Sequence, residues 1–174
     1  SRIHALSDKS VRRATIFTDA EGHGGVGVYA VLPGGKRVTM MGHLGEEFVS
    51  YFEKRETNII PLELAAVVIA ALRLRRDIIG CRVLVMIDNT SVLHSLRRSR
   101  CRKADVNNLI RIFSDVTDKL GCVFSFKWVP SKCNVADLPS RGAPLHVKKG
   151  VKFRCIRSSV SQLLDRLHKL CCKS

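Results

Sequence analysis

The sequence predicts an α/β domain built on a five-stranded mixed sheet, three antiparallel strands followed by two parallel ones, with helices flanking the sheet. Three β-branched or apolar runs are joined by glycine-rich turns, a periodic helix separates them from a fourth run, and two further helices precede a fifth. A helix between two strands is the usual crossover of a parallel pair. The 174 residues, 45% hydrophobic and 26% charged, suffice for one domain with a sizeable core.

The first third of the chain is predicted to form an antiparallel meander. The β-branched and aromatic run from Thr15 to Thr18 is typical of a buried strand, and glycine-rich turns follow it and its successor. The polar, basic residues 1–13 show no periodicity and are predicted to form a loose N-terminal arm. The three strands are predicted over 14–20, 26–32 and 37–44.

Helical periodicity dominates the middle of the chain. Apolar residues recur at helical spacing from Leu62 to Leu72 and predict a helix over 61–77, with Pro61 in the first turn, where its missing N–H costs nothing. The continuous apolar run Val83 to Ile87 predicts a strand covered on both faces. The remaining predictions are helices over 91–98 and 106–120, a strand over 122–129 and a turn-rich segment over 134–141.

The C-terminal region is predicted to be a basic linker followed by an amphipathic helix with an apolar stripe from Val160 to Leu170. That helix either packs on the domain or docks on a partner. The chain is therefore divided into an arm (1–13), a domain (14–143) and a C-terminal extension (144–174). Its first residue is Ser rather than Met, which suggests a processed chain or a domain of a longer polypeptide.

The charge balance favours a nucleic acid as partner. Thirty Lys and Arg against fifteen Asp and Glu give a net charge of +15, and binding to a polyanion would release its counterions. The basic residues cluster in the runs 73–76, 97–103 and 148–157, which argues against a charge kept only for solubility. We expect no membrane association, because these runs lack exposed Trp or Phe anchors and no apolar run reaches the roughly 18 residues of a span.

The cysteines indicate a reducing environment. There are seven, an odd number without a C-x-x-C pair, so neither a zinc knuckle nor a disulfide framework is predicted. No secretion signal is recognisable at the N-terminus, and an intracellular location is predicted, with nucleus and cytoplasm both open. Cys81 and Cys122 stand at strand starts and are interpreted as small core residues.

Four acidic residues stand at element ends that this topology brings together. Asp19 ends the first strand, Asp88 follows the fourth, Glu63 lies in the first turn of the first long helix, and Asp137 follows the last strand. Singly, each is explained as a cap, a turn former or a complement to the helix dipole, and Asp88-Asn89-Thr90 would equally cap the following helix. Together they predict one acidic centre, provided that the first and fourth strands are neighbours.

Four ionised carboxylates need cations, because like charges a few ångströms apart raise one another's pKa. Hard oxygen ligands predict Mg²⁺ or Mn²⁺. Two such ions, about 4 Å apart, would activate a water on one side of a phosphodiester and stabilise the leaving 3′-oxygen on the other. Aromatic residues make up only 6% of the chain, which favours clamping of a duplex backbone over stacking on single-stranded bases.

Four segments resemble the ribonuclease H region of retroelement reverse transcriptases. They read IFTDAEGHGGVGVYAV, IIPLELAAVVIAAL, RVLVMIDNTSVLHSL and WVPSKCNVADLPSRG. The chain is most similar to the DIRS-type, tyrosine-recombinase retrotransposons, including the VIPER-like elements of kinetoplastids, over about residues 14–142. The closing N-x-A-D-x-x-S-R pattern, from Asn134 to Arg141, is specific when it follows the other three in order.

The resemblance implies a ribonuclease H-like fold and metal-dependent hydrolysis of the RNA strand of an RNA/DNA hybrid, leaving a 3′-hydroxyl and a 5′-phosphate. It also implies a reverse transcriptase polymerase domain in the same polypeptide. By motif, Asp19 and Asp88 would contact both metal ions, Glu63 would bind one, and Asp137 would complete the other site. Four further residues would lie along the hybrid: Gly22, Asn89, Asn134 and Arg141.

One feature departs from cellular ribonucleases H, which carry a histidine in the loop before the final aspartate. None lies between Trp128 and Asp137, so proton transfer or product release would use another group or run more slowly. His23 is the nearest candidate, although a solvent-facing turn residue is the simpler interpretation.

Two alternative functions stay open. One is a retroelement-derived domain that binds RNA or protein without cleavage, against which the full set of mutually repelling carboxylates argues. The other is a nuclease or integrase of the same fold that acts on DNA.

Overall fold

The sheet has six strands and is flanked by helices in the computed structural model, which describes residues 11–55, 58–142 and 150–172. The strands are β1 (Arg13–Ala20), β2 (Gly25–Val31), β3 (Arg37–His43), β4 (Arg82–Ile87), β5 (Val123–Trp128) and β6 (Val151–Cys155). The helices are α1 (Glu46–Tyr51), α2 (Ile59–Arg73), α3 (Arg75–Ile78), α4 (Thr90–Arg98), α5 (Ala104–Leu120), α6 (Asp137–Ser140) and α7 (Arg157–Cys172). The strand order across the sheet is β5-β4-β1-β2-β3-β6.

The predicted strand directions are confirmed. β1, β2 and β3 form an antiparallel meander, β4 runs parallel to β1, and β5 runs parallel to β4. The register of the parallel pair places Phe17 opposite Met86. Asp19 and Asp88 each follow that pair by two residues, so the two carboxylates leave neighbouring strands at the same level.

The sheet has six strands, one more than the five that were predicted. β6 lies within the predicted basic linker and pairs in parallel with β3, from Arg37 opposite Val151 to Met41 opposite Cys155. Its five residues, VKFRC, alternate apolar and basic side chains, but none of the five is buried, and the alternation is short and lies within a basic run. Phe153 on this strand is 56% exposed, contrary to the expectation that no exposed aromatic accompanies the basic runs.

The predicted helix over 61–77 is two helices that meet at Leu74, where the backbone leaves helical geometry (φ −98°, ψ 5°). α2 starts at Ile59, two residues before the predicted start, so Glu63 lies in its second turn rather than its first. Every residue from Pro61 to Leu72 is buried, because α2 packs against β1 and β2 and also contacts α5 and α7. α2 is therefore a fixed central element of the domain.

One short helix and one cysteine differ from the prediction. α1 was not predicted; it forms in a polar stretch and is held by the buried Phe48. Cys81 is buried, whereas Cys122 is only half-buried. Residues 1–10 of the predicted arm, residue 143 at the end of the predicted domain and residues 144–149 of the predicted linker lie outside the described residues.

The C-terminal helix packs on the domain. α7 contacts α2 and α5, and Leu163 and Leu167 on its apolar stripe are fully buried. Of the two possibilities that the sequence left open, the structure shows packing on the domain. Among the described residues, no helix combines the length and the apolar character that crossing a membrane requires.

We expect Leu163→Ala to lower the free energy of unfolding by about 2–5 kcal/mol, because it removes buried methyl groups and leaves a cavity between α7 and the rest of the core. Urea denaturation followed by circular dichroism measures this change. The matched control is Ser161→Ala on the exposed side of α7, which should change stability by less than about 0.5 kcal/mol. Equal effects of the two substitutions would show that α7 contributes little to the core.

Candidate metal centre

Three of the four predicted carboxylates lie together at the C-terminal ends of β1 and β4. Each of Asp19, Glu63 and Asp88 offers an oxygen atom, and these atoms all lie within 4.8 Å of one another. Asp19 is 5% exposed, Glu63 is 4% exposed and Asp88 is half-buried. The parallel β1–β4 pair supplies the two aspartates, and α2, packed across β1, supplies the glutamate.

Asp137 lies at the rim of the same cavity, outside the close cluster. It is the first residue of α6, and its side chain is 36% exposed. The Arg141 Nε donates to both carboxylate oxygens at 3.3 Å. The fourth predicted ligand is thus near the other three but is held by a guanidinium in this structure.

Two glycines of β2 determine how closely α6 approaches the sheet. A Cβ atom at Gly25 would overlap the Ser140 carbonyl oxygen, and one at Gly27 would overlap the Ser140 nitrogen and the Ala136 carbonyl oxygen. The backbone around α6 therefore rests directly on the backbone of β2. The Gly25-Val26-Gly27 pattern is the signal in the sequence from which this close approach could have been predicted.

Asn134 lies behind the carboxylates rather than in the open cavity. Its buried amide Nδ2 donates to the Thr18 carbonyl oxygen at 3.0 Å and to Asp88 Oδ2 at 3.2 Å. A single amide thus connects the last loop to β1 and to the carboxylate that follows β4. Of the four residues predicted to lie along a hybrid, Asn134 is the one that the structure buries.

Ser140 holds Asp19 from the opposite side. Its hydroxyl, buried with the rest of the residue, lies 2.9 Å from Asp19 Oδ2 and 2.7 Å from the Asp137 carbonyl oxygen. Ser140 belongs to the closing motif of the sequence, but no role in the site was predicted for it. Its position three residues after Asp137 is the signal that could have pointed to one.

The carboxylates open into a cavity of about 560 Å³. Its lining includes three of the residues that were predicted to lie along a hybrid, namely Gly22, Asn89 and Arg141. His23 and Ser131 line it as well. Asn89 also caps α4, since its Oδ1 accepts from the Val92 N–H at 3.0 Å, so the ordinary cap interpretation holds for this residue.

His23 lies in the exposed turn between β1 and β2. Its backbone N–H donates to Glu21 Oε2 at 2.9 Å, and the Gly25 N–H donates to Glu21 Oε1 at 2.6 Å. The Glu21 carboxylate thereby closes the turn. Desolvation acts to raise its pKa, but the two backbone hydrogen bonds together hold the pKa below the usual range. Glu21 lines the cavity without joining the cluster of three.

Burial and mutual repulsion shift the acidity of the cluster. Burial raises the pKa of Asp19 to about 6, and the Asp88 charge adds to the rise, while the Ser140 hydroxyl and Glu63 oppose it. Burial raises the pKa of Glu63 to about 10, with further contributions from the Asp19 and Asp88 charges. In the absence of a cation Glu63 therefore retains its proton at neutral pH.

The cluster fits a divalent metal ion. Glu63 Oε2 is buried and has no hydrogen-bond partner among the described residues, although a buried polar atom without a partner costs free energy. The donor set consists only of carboxylate oxygens, the ligands of hard cations such as Mg²⁺ and Mn²⁺. A cation would give the orphan oxygen a partner and would replace the proton on Glu63.

Comparison with known proteins identifies the fold. No family model and no curated protein sequence matches the chain. Among solved structures, it is similar to the ribonuclease H1 LC11, isolated from compost by a metagenomic approach, with a TM-score of 0.52 and 15% identity over 76% of this chain and 94% of that one. The chain therefore has the ribonuclease H-like fold, with β6 as a sixth strand.

Two further solved structures are similar at lower scores. Ribonuclease H1 from the halophilic archaeon Halobacterium salinarum has a TM-score of 0.49 and 17% identity, covering 73% of this chain and 91% of that one. The N-terminal ribonuclease H domain of Rv2228c from Mycobacterium tuberculosis, solved as a maltose-binding protein fusion, has a TM-score of 0.49 and 16% identity, covering 87% and 98%.

We expect the free energy of unfolding, measured in EDTA, to fall as the pH rises from about 5 to 8. The folded protein keeps protons on Glu63 (pKa about 10, against 4.5) and on Asp19 (about 6, against 3.8) that the unfolded chain releases at lower pH. Because the native state then binds more protons, stability decreases with rising pH. Urea denaturation at several pH values measures the slope.

Glu63→Gln should make that slope shallower, because it removes the group with the largest pKa shift. The matched control, Glu47→Gln on the exposed surface of α1, should leave the slope unchanged. A slope that is the same in the wild type and in Glu63→Gln would contradict the electrostatic description of the cluster.

Proposed function

We propose that this chain is a metal-dependent endonuclease that hydrolyses the RNA strand of RNA/DNA hybrids. The observation that carries the proposal is the group of three carboxylates within 4.8 Å at the edge of a ribonuclease H-like sheet. A domain without a bound cation gains nothing from burying groups that repel one another and leaving one oxygen without a partner.

Asp19, Glu63, Asp88 and Asp137 would hold two Mg²⁺ or Mn²⁺ ions. Divalent ions bound there would supply positive charge to a phosphodiester and to its developing negative charge. Asp19 and Asp88 are positioned by Ser140 and Asn134, so their oxygens are held ready for a cation. Asp137 would have to be released from Arg141, after which the guanidinium would be free to contact a phosphate.

A second, strongly basic cavity lies near the carboxylates and suits a nucleic-acid backbone. It has a volume of about 550 Å³ and lies between the first turns of α2 and α5 and one side of α4. Ile60 lines it, and the adjacent Ile59 lines the acidic cavity. Its lining contains five basic residues: Arg55, Arg98, Arg100, Arg102 and Lys103.

A retroelement reverse transcriptase is the proposed context. Its support is the order of the four motifs, from the Asp19 segment to the closing N-x-A-D-x-x-S-R pattern. The hybrid formed during reverse transcription would be the natural substrate, and a polymerase domain in the same polypeptide would be the natural partner.

A labelled RNA/DNA hybrid should be cleaved in its RNA strand with Mg²⁺ or Mn²⁺ and stay intact in EDTA. Asp88→Asn should lower the rate more than about 100-fold, since even a residue that only hydrogen-bonds a metal ligand contributes about 10–100-fold to metal affinity or activity. The matched control is Asp165→Asn on the exposed surface of α7, which should retain the wild-type rate.

Single-stranded RNA and duplex DNA, incubated in parallel, separate the remaining possibilities. Cleavage of duplex DNA alone would identify a DNA nuclease on the same fold. Tight binding of the hybrid without cleavage under any metal would indicate a binding module. Undiminished cleavage by Asp88→Asn would exclude the proposed centre.

We expect Arg98→Gln/Arg100→Gln to weaken hybrid binding and to reduce the slope of log affinity against log salt concentration by about 2, because each phosphate-binding side chain contributes about 1 to that slope. Fluorescence anisotropy with Asp88→Asn as the background measures binding without cleavage. The control pair, Arg111→Gln/Lys119→Gln, removes the same charge from exposed positions on α5. Equal reductions in affinity for the two pairs would mean that only net charge matters.

A further inference from the structure

A third cavity, of about 400 Å³, lies where the end of α2, α3, β6 and the start of α7 meet. Its lining contains one carboxylate, that of Asp77, and four arginines: Arg73, Arg75, Arg76 and Arg154. It shares no residue with the acidic cavity. Arg73 lies ten positions after Glu63 in α2, which corresponds to about 15 Å along the helix axis.

The carboxylate of Asp77 is already paired with Arg154. Arg154 donates to both oxygens of Asp77, at 2.5 and 3.2 Å, and Lys36 Nζ lies 3.9 Å from Oδ1. The hydrogen bond from Arg154 holds the pKa of Asp77 below its usual value. Lys36 and Arg73 add smaller electrostatic contributions, so one carboxylate faces four arginines and the lining keeps a surplus of positive charge.

Neutral groups orient two of those arginines. Arg73 Nε donates to the Cys155 carbonyl oxygen at 2.8 Å, and Arg75 Nη1 donates to Gln162 Oε1 at 3.0 Å. These bonds fix the guanidinium groups without cancelling their charge, and each group keeps further N–H donors. The guanidinium groups therefore form a preorganised set of hydrogen-bond donors for an anion.

The start of α7 adds two further features. This 16-residue helix has no acidic residue in its first turn, and the N–H groups of that turn have no acceptor within the helix. Ser159 in the same turn lines the cavity and is 2% exposed, yet its hydroxyl has no hydrogen-bond partner among the described residues. The Ser159 hydroxyl is therefore available to donate to an acceptor in the cavity.

We propose that this cavity binds a phosphate group. A phosphate presents several acceptor oxygens that point in different directions. The cavity offers donors from several directions as well, because the guanidinium groups of α2 and α3, the N-terminus of α7 and the Ser159 hydroxyl all face it. A carboxylate, with two oxygens in one plane, would leave some of these donors unpaired. The phosphate belongs either to a nucleic-acid backbone that extends beyond the acidic centre or to a free phosphate ion.

Titration calorimetry with inorganic phosphate tests the site. EDTA is included so that no divalent cation draws phosphate to the carboxylates, and sodium chloride titrations at equal ionic strength serve as the reference. The wild type should give a saturable binding curve. Arg75→Gln/Arg76→Gln should weaken the affinity more than about tenfold and Ser159→Ala about three- to tenfold, as expected for a charged and a neutral hydrogen-bond donor.

The control pair, Arg111→Gln/Lys119→Gln, should bind phosphate like the wild type, with circular dichroism confirming that each variant is folded. A duplex oligonucleotide in place of phosphate distinguishes the two sources. Weaker oligonucleotide binding by Arg75→Gln/Arg76→Gln but not by the control pair indicates a backbone phosphate, and weaker binding of inorganic phosphate alone indicates a free ion.

A response to phosphate no larger than the response to chloride, or equal affinities in the two arginine-depleted pairs, would overturn the proposal. The measurement involves no cleavage, so its outcome is independent of the proposed nuclease activity.

Discussion

The repulsion among three carboxylates within 4.8 Å is the constraint around which the site is built. Water would relieve it, but Asp19 and Glu63 are almost fully buried. The surrounding fold must therefore supply the free energy that holds them in place. It does so through the parallel pairing of β1 with β4 and through a helix, α2, that is buried over twelve consecutive residues.

Two neutral hydrogen-bonding side chains, one from the loop after β5 and one from α6, complete this arrangement. Asn134 donates to Asp88, and Ser140 donates to Asp19, so each aspartate is oriented without the charge neutralisation that an arginine or a lysine would bring. Gly25 and Gly27 allow the backbone around α6 to rest on the backbone of β2. The negative charge of the cluster is thus preserved for a cation, while its geometry is fixed by groups that carry no charge.

Much of this could be predicted from the sequence, because the order of strands and helices places Asp19 and Asp88 at strand ends that converge if the first and fourth strands are neighbours. The parallel pairing of β1 with β4 meets that condition. The close cluster and the rim position of Asp137 could not be separated in advance, since the difference depends on where the Arg141 guanidinium lies. The burial of Asn134 likewise depends on tertiary contacts with Thr18. β6 was not predicted because its five alternating residues lie within a longer basic run, and so short a pattern does not distinguish an edge strand from a linker.

α2 carries Glu63 near one end and Arg73 at the other, with the acidic cluster around the first and three further arginines around the second. Because this helix is buried along most of its length, the two groups of opposite charge are kept at a fixed separation. The domain consequently has a permanent electric asymmetry on top of its net charge of +15. A polyanion approaching through solvent would experience a torque as well as an attraction, and would be turned toward a preferred orientation before it touched the surface.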